Sequence, residues 1–191
     1  MSHILVYVHG TNGSGKSTLA RAVVAAAGGV REYASVLGKA GTTHTNRGVN
    51  LVGKYGNACG GIDGIQPYAL VSNVLSFNAL FPGARVFGES LVTPGLATCQ
   101  GFASMFERTV FILLDTPETD CIRNVLKRRS AKGNTKTYSP DNLYRKARSA
   151  RSWANNLEAS GLEVHRLQYR EAYKLVLELL GLPLPSVEDL L

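Results

Sequence analysis

Apolar and polar positions divide the chain into a regular alternation of short buried runs and amphipathic stretches. HILVYVH (residues 3–9) is apolar almost throughout and stops at Gly10, which predicts a strand covered on both faces. From Gly15 to Ala27 the apolar positions recur at helical spacing, and Gly28-Gly29 ends that helix. Further strands are predicted near 33–37 and over ARVFGES (84–90), VFILLDTP (110–117) and LEVHRL (162–167). Helices are predicted over 67–81, with Pro67 in the first turn, over 94–108, from 118 to about 129, along a basic stretch ending near 159, and over REAYKLVLELL. Strands alternating with helices predict an α/β sandwich. Its sheet is mainly parallel, with about five strands and helices on both faces, in one domain spanning 1–191.

Two stretches break the alternation. Gly38 to Gly64 holds eight glycines and little periodicity, and predicts a long functional loop over about 38–66. Its charges are Lys39, Arg47 and Lys54, and Asp63 is the first acid after Glu32. SAKGNTKTYSPDN (130–142) is a polar loop between two helices.

Charge sharpens the picture. The net charge is +7, yet residues 123–151 alone carry ten basic side chains (Arg123, Lys127, Arg128, Arg129, Lys132, Lys136, Arg145, Lys146, Arg148 and Arg151) against one acid, Asp141. The rest of the chain is slightly acidic, so this segment is expected to face phosphates of a nucleotide, of a nucleic acid, or of both. A solvated helical face is the plainer alternative. Hydrophobic residues make up 45% and charged residues 18%, as in a soluble globular protein, and no apolar run reaches the roughly 18 residues of a membrane span. Met1-Ser2-His3 leads into the first strand without a basic start or cleavage site, so a cytoplasmic location and no membrane partner are expected. Cys59, Cys99 and Cys121 are far apart and lack CxxC spacing, which predicts free thiols rather than a zinc site.

Gly10-Thr11-Asn12-Gly13-Ser14-Gly15-Lys16-Ser17 matches G-x-x-x-x-G-K-[ST] in full, with an apolar strand before it and a helix after it. Such glycines let backbone N–H groups turn inward around phosphate oxygens at a helix N-terminus. Lys16 is then expected on the β- and γ-phosphates, Ser17 on Mg²⁺, and Thr18 in the helix that completes the nucleotide site. The donor is ATP, with GTP as the alternative. No N-K-x-D guanine-reading motif occurs, and the chain is short for a motor ATPase.

The stretch VFILLDTPETDCIRNVLKRRSAKGN resembles the strand, helix and lid of P-loop small-molecule and nucleotide kinases. That resemblance implies a P-loop kinase three-layer sandwich with a basic lid over about 123–151. Arg128 or Arg129 would contact phosphate, Arg145, Arg148 and Arg151 would supply the far side of the lid, and Arg123 would be solvated. Transfer also needs a carboxylate to orient or deprotonate the acceptor. Glu89, at the end of RVFGES, is one candidate, with a second role toward Mg²⁺; Asp63 is the other, and Asp115 ranks third.

KYGNACGGIDGIQ (54–66) and FGESLVTPG (87–95) are similar to the bacteriophage 5-hydroxymethyluracil DNA kinases. This resemblance implies phosphorylation of the hydroxymethyl group of 5-hydroxymethyl-deoxyuridine already in DNA, with Asp63 or Glu89 taking its proton. A base must leave the stack to reach such a site. Tyr55, Tyr68 and Phe87 are candidate stacking faces, and His44, Arg47, Asn50 and Lys54 candidate readers of base edges or backbone. A kinase of free nucleosides or nucleotides, a polynucleotide 5′-end kinase, and a nucleotide-switched DNA-binding protein stay open as alternatives. Oligomeric state is unreadable.

Overall fold

The computed structural model describes residues 3–36, 40–55, 59–62, 65, 74–134 and 136–184. In chain order the elements are β1 (Ile4–His9), α1 (Lys16–Ala26), β2 (Val30–Val36), β3 (Ala40–Thr45), β4 (Val49–Val52), β5 (Lys54–Tyr55), β6 (Cys59–Gly61), the single turn α2 (Ser76–Ala79), β7 (Arg85–Ser90), α3 (Leu96–Met105), β8 (Arg108–Leu114), α4 (Glu118–Ala131), α5 (Asp141–Ala159), β9 (Val164–Leu167) and α6 (Tyr169–Leu179).

The main sheet has seven strands in the order β2-β3-β4-β7-β1-β8-β9, and β5 pairs with β6 apart from it. β1 lies between β7 and β8 and is parallel to both; β4 is parallel to β7, and β9 to β8. Within this sheet the β2-β3 and β3-β4 pairs of the described residues run antiparallel. Alternate residues of β1 go to opposite faces. Ile4, Val6 and Val8 pack with Leu19, Ala20 and Val23 of α1 and with Ala172, Val176 and Leu177 of α6. Leu5 and Tyr7 pack with Phe102 of α3 and with Trp153, Ala154 and Leu157 of α5. This two-sided cover explains why β1 reads as one unbroken apolar run. Each such aliphatic or aromatic side chain stabilises the fold by about 1.5–3 kcal/mol on burial.

The helices leaving neighbouring strands diverge at one point. α1 follows β1 onto one face, and α3 follows β7 onto the other. In open α/β sheets a crevice forms where the connections part, beyond the carboxyl ends of the strands. The fold thereby positions the end of β1 and the end of β7 as the walls of a site.

All five predicted strands are present, but the sheet is larger than predicted. Residues 40–45 and 49–52, expected as loop, form β3 and β4. Glycine content concealed them. Gly48 has φ +71 and makes the turn between the two strands, a turn position rather than a sign of missing structure. The threonines in AGTTHT are buried, and their hydroxyls are satisfied: Thr43 Oγ1 donates to Gly53 O at 2.8 Å, and Thr45 Oγ1 to Val49 O at 2.9 Å. Of the predicted helix over 67–81, residues 76–79 are α-helical, and 67–73 lie outside the described residues. No helix among the described residues is long and apolar enough to cross a membrane.

Asn78 knits this half of the sheet together. Buried completely, its Nδ2 donates to Thr42 Oγ1 (3.0 Å) and Val74 O (2.8 Å), and its Oδ1 accepts from Asn50 Nδ2 (3.1 Å). Asn78→Ala leaves those partners unsatisfied inside the protein. It is expected to lower the unfolding free energy by about 1–3 kcal/mol, read by denaturant titration.

Candidate active site

The glycine turn follows directly from the end of β1, beside the end of β7. Ser14 N donates to Thr11 O (3.3 Å) within it. Contacts from other elements brace it from outside. Asn124 Nδ2 on α4 donates to Gly13 O (2.9 Å), Thr116 Oγ1 before α4 donates to Ser14 O (2.9 Å), and Thr11 Oγ1 donates to Leu143 O of α5 (3.4 Å). Gly13 has φ +79, and a Cβ there would stand 2.3 Å from Cys121 O, because the first turns of α4 press against the loop. Cys121 is buried, and burial pushes its thiol up to about 11, so it packs there as a neutral group.

The turn can take an anion. α1 begins at Gly15 with no acid in its first turn, so the positive end of the helix is not neutralised locally. Ser14 Oγ is buried in the turn without a hydrogen-bond partner among the described residues. Lys16 is only 7% exposed; its side chain folds back so that Nζ donates to Gly10 O (2.7 Å) and Thr11 O (2.9 Å). Across the crevice the Ser17 hydroxyl donates to Glu89 Oε1 at 3.4 Å, and Glu89 is 2% exposed. Asn12, Thr18, Arg21, Leu91, Asn124 and Arg128 complete the lining of a cleft of about 480 Å³. A second hollow, about 340 Å³, continues from it past Gly15, Thr18 and Asn124 to Thr116, Pro117, Arg123 and Tyr169.

The structure therefore brings together Asn12, Gly13, Gly15, Lys16, Ser17, Thr18 and Arg128 from the expected set around the cleft, with Glu89 joined to it through Ser17. Arg129 is not among the residues lining the cleft. One residue beyond Arg128, it is rotated by about 100° around α4, donates to Lys136 O (2.6 Å) and Asn134 Oδ1 (3.2 Å), and packs on Tyr138. Arg151 is likewise committed elsewhere, donating to Asp115 Oδ1 (3.1 Å) and Glu118 Oε1 (2.9 Å). Its hydrogen bond to the Asp115 carboxylate raises the Arg151 guanidinium above the ordinary arginine value, and Asp115 faces that arginine instead of Ser17. Arg123 pairs with Asp120 in the exposed first turns of α4, and Arg145 donates to Asn142 Oδ1 (2.9 Å). Asp63 and Tyr68 lie outside the described residues.

The expected stacking faces are corrected. Tyr55 and Phe87 are core side chains beneath α1, because Phe87 alternates inward on β7. Of the expected base readers, His44 and Asn50 are engaged within the fold, His44 Nδ1 meeting Asn50 Oδ1 (2.8 Å) and Asn50 joining the Asn78 network, whereas Arg47 and Lys54 are exposed, Arg47 donating to Ala26 O (3.1 Å) and Lys54 lying over the Tyr33 ring. Sequence reasoning missed Arg21, Leu91 and Asn124. Helical phase holds the signal for two of them, since Arg21 is one turn beyond Ser17 and Asn124 one turn before Arg128. Among the described residues no group of three His, Cys, Asp or Glu side chains could hold a metal ion. The Ser17–Glu89 pair nonetheless fits an oxygen-seeking cation that keeps most of its waters and phosphate ligands.

No family model matches the chain. It is similar to a protein named 5-hmdU DNA kinase from Delftia phage PhiW-14, with 26% identity over 164 aligned residues. The match takes in 75% of this chain and 60% of that protein's length.

Gly13→Ala combines a left-handed backbone with a clash against Cys121 O, whereas Gly133, at φ +65, has nothing within 4 Å of the corresponding position. Gly13→Ala is expected to destabilise the protein by about 1–3 kcal/mol beyond Gly133→Ala, measured by chemical denaturation of both variants.

Proposed function

We propose that the chain is a P-loop kinase that moves the γ-phosphoryl group of ATP to the hydroxymethyl oxygen of 5-hydroxymethyl-deoxyuridine in DNA. The observation that carries this reading is the hydrogen bond from Ser17 to a buried Glu89 carboxylate beside the glycine turn, where Ser17 lines a cleft together with Lys16 and Arg128. A turn of this kind suits a triphosphate, and an acid beside it suits a hydroxyl acceptor. The name of the phage relative supplies the acceptor. The parallel sheet with its crevice at the β1–β7 boundary agrees with the kinase layout.

In this reading the triphosphate lies along the turn, and the nucleoside end follows the second hollow toward Tyr169. Lys16 leaves its carbonyl partners to neutralise the β- and γ-phosphates, and Arg128 draws on the same oxygens from α4. Mg²⁺, held through Ser17 and Glu89 or their waters, would offset charge between phosphate oxygens. Glu89 orients the acceptor hydroxyl and takes its proton as the oxygen bonds the γ-phosphorus. The bond from that phosphorus to the β–γ bridging oxygen breaks, and ADP leaves. Asp63 is the second candidate for the base. The basic segment over about 123–151 would serve as the lid and the phosphate-facing surface. DNA and the nucleotide are the partners.

The test offers γ-labelled ATP and Mg²⁺ with a duplex containing 5-hydroxymethyluracil, the same duplex with thymine, a duplex with free 5′-hydroxyls, and free nucleosides. Label is expected in the modified duplex alone; label confined to plain ends or nucleosides overturns the acceptor assignment. Lys16→Ala is expected to reduce transfer by about 10²-fold or more. Glu89→Gln is expected to lower turnover by about 10²–10⁴-fold with little change in DNA affinity, and an effect of that size in Asp63→Asn instead would move the base to Asp63.

A further inference from the structure

A separate cleft of about 400 Å³ lies between the β7–α3 connection and α5, with Thr93, Ser149, Ser152 and Asn156 at its edges and Trp153 and Leu157 beneath them. We infer that this cleft seats the unstacked acceptor base, an inference that rests on the function proposed above. Its position carries the argument. Leu91 lines the phosphate cleft and Thr93 lines this one, so the two open on either side of a loop whose outer residues are two apart. Two residues of chain span at most about 7 Å. A substituent on a pyrimidine held against Thr93 thus faces the cleft lined by Ser17, the hydrogen-bond partner of Glu89, after crossing one residue, Val92.

The cleft's chemistry suits a pyrimidine. Its volume falls in the range of small-molecule sites, and it joins an apolar floor to a few hydroxyl and amide groups that can meet the ring's carbonyls and N–H. Trp153 is 4% exposed and fixed by Tyr7, His9 and Phe111, so the floor is rigid. His9 joins the floor to the phosphate turn. It immediately precedes Gly10, its Nδ1 meets Ser90 O (3.0 Å), its Nε2 meets Thr93 Oγ1 (3.1 Å), and its ring meets Trp153 edge-on at 4.8 Å. Both clefts are therefore built on one strand end.

The surroundings suit a strand of DNA. Ser149, Ser152 and Asn156 share one face of α5 with exposed Arg145 and Arg148, and no acid occurs on this helix between Asp141 and Glu158. Phosphates can follow that stripe while the base turns in. Val92, 54% exposed on the dividing loop, is an apolar side chain placed to fill the gap the base leaves in the stack.

Trp153 is the chain's single tryptophan, so its emission reports the cleft directly. The full chain, without ATP, is titrated with a short duplex bearing one 5-hydroxymethyluracil and with its thymine counterpart. Saturable quenching by the modified duplex, several-fold weaker with thymine, is expected. Ser152→Leu, an exposed helical position, narrows the cleft and is expected to raise KM for the modified duplex about tenfold with kcat within about threefold of wild type; Asn156→Ala is expected to act in the same direction. If the wild-type chain transfers phosphate to the modified duplex but the emission stays constant and both variants keep the wild-type KM, the cleft assignment alone is overturned. If the wild-type chain labels no modified duplex, the proposed function fails and the assignment fails with it.

Discussion

Val8 of β1 stands opposite Glu89 of β7 in a parallel register, and the chemistry at the carboxyl end of the sheet follows from that pairing. Because side chains alternate along a strand, this register turns Glu89 to the same side as Phe87, toward α1, where Ser17 meets it. A slip of one residue would present Gly88 or Ser90 in its place and carry the carboxylate to the opposite face. The apolar packing on both sides of β1 is what makes such a slip costly. The same alternation sends His9 to the other face, where it joins Trp153. One strand end thus supports a glycine turn on one side and an aromatic-floored cleft on the other.

The basic segment does not act as a single block. Its arginines divide by helical phase and by the acids within reach. Arg128 lines the cleft at the glycine turn; Arg129 stabilises the connection between α4 and α5; Arg151 is held by Asp115 and Glu118 against the strand end. The acids paired with Arg151 and Arg123 offset those charges locally, whereas exposed Arg145 and Arg148 lie along one stripe of α5 with no acid on that helix between Asp141 and Glu158. A charge excess counted along the chain therefore overstates the number of phosphates it can grip.

Rigidity has a similar origin. The glycine turn keeps its shape through braces from Thr116, Asn124 and Leu143, so α4 and α5 set the geometry of a loop that is distant from them in sequence. Gly13 is where those braces come closest, which is why a methyl group there would collide with a backbone carbonyl. Movement of α4 would be felt at once by the glycine turn, because Asn124 and Cys121 of that helix touch Gly13.

Local sequence determined a good deal by itself. The strand–turn–helix around Gly10 to Thr18, five of the strands and the basic connection between two helices were all legible, because each depends on periodicity or on turn chemistry within a few residues. Glycine and threonine between residues 40 and 52 misled, since turn glycines and satisfied, buried threonines look like loop until their partners across the sheet are known. Only the tertiary structure decided which carboxylate meets Ser17, which of two adjacent arginines enters the cleft, that Phe87 and Tyr55 are core, and that Trp153 floors a cleft beside Thr93. Those outcomes depend on strand register and helix phase between segments far apart in the chain, and no local pattern encodes them.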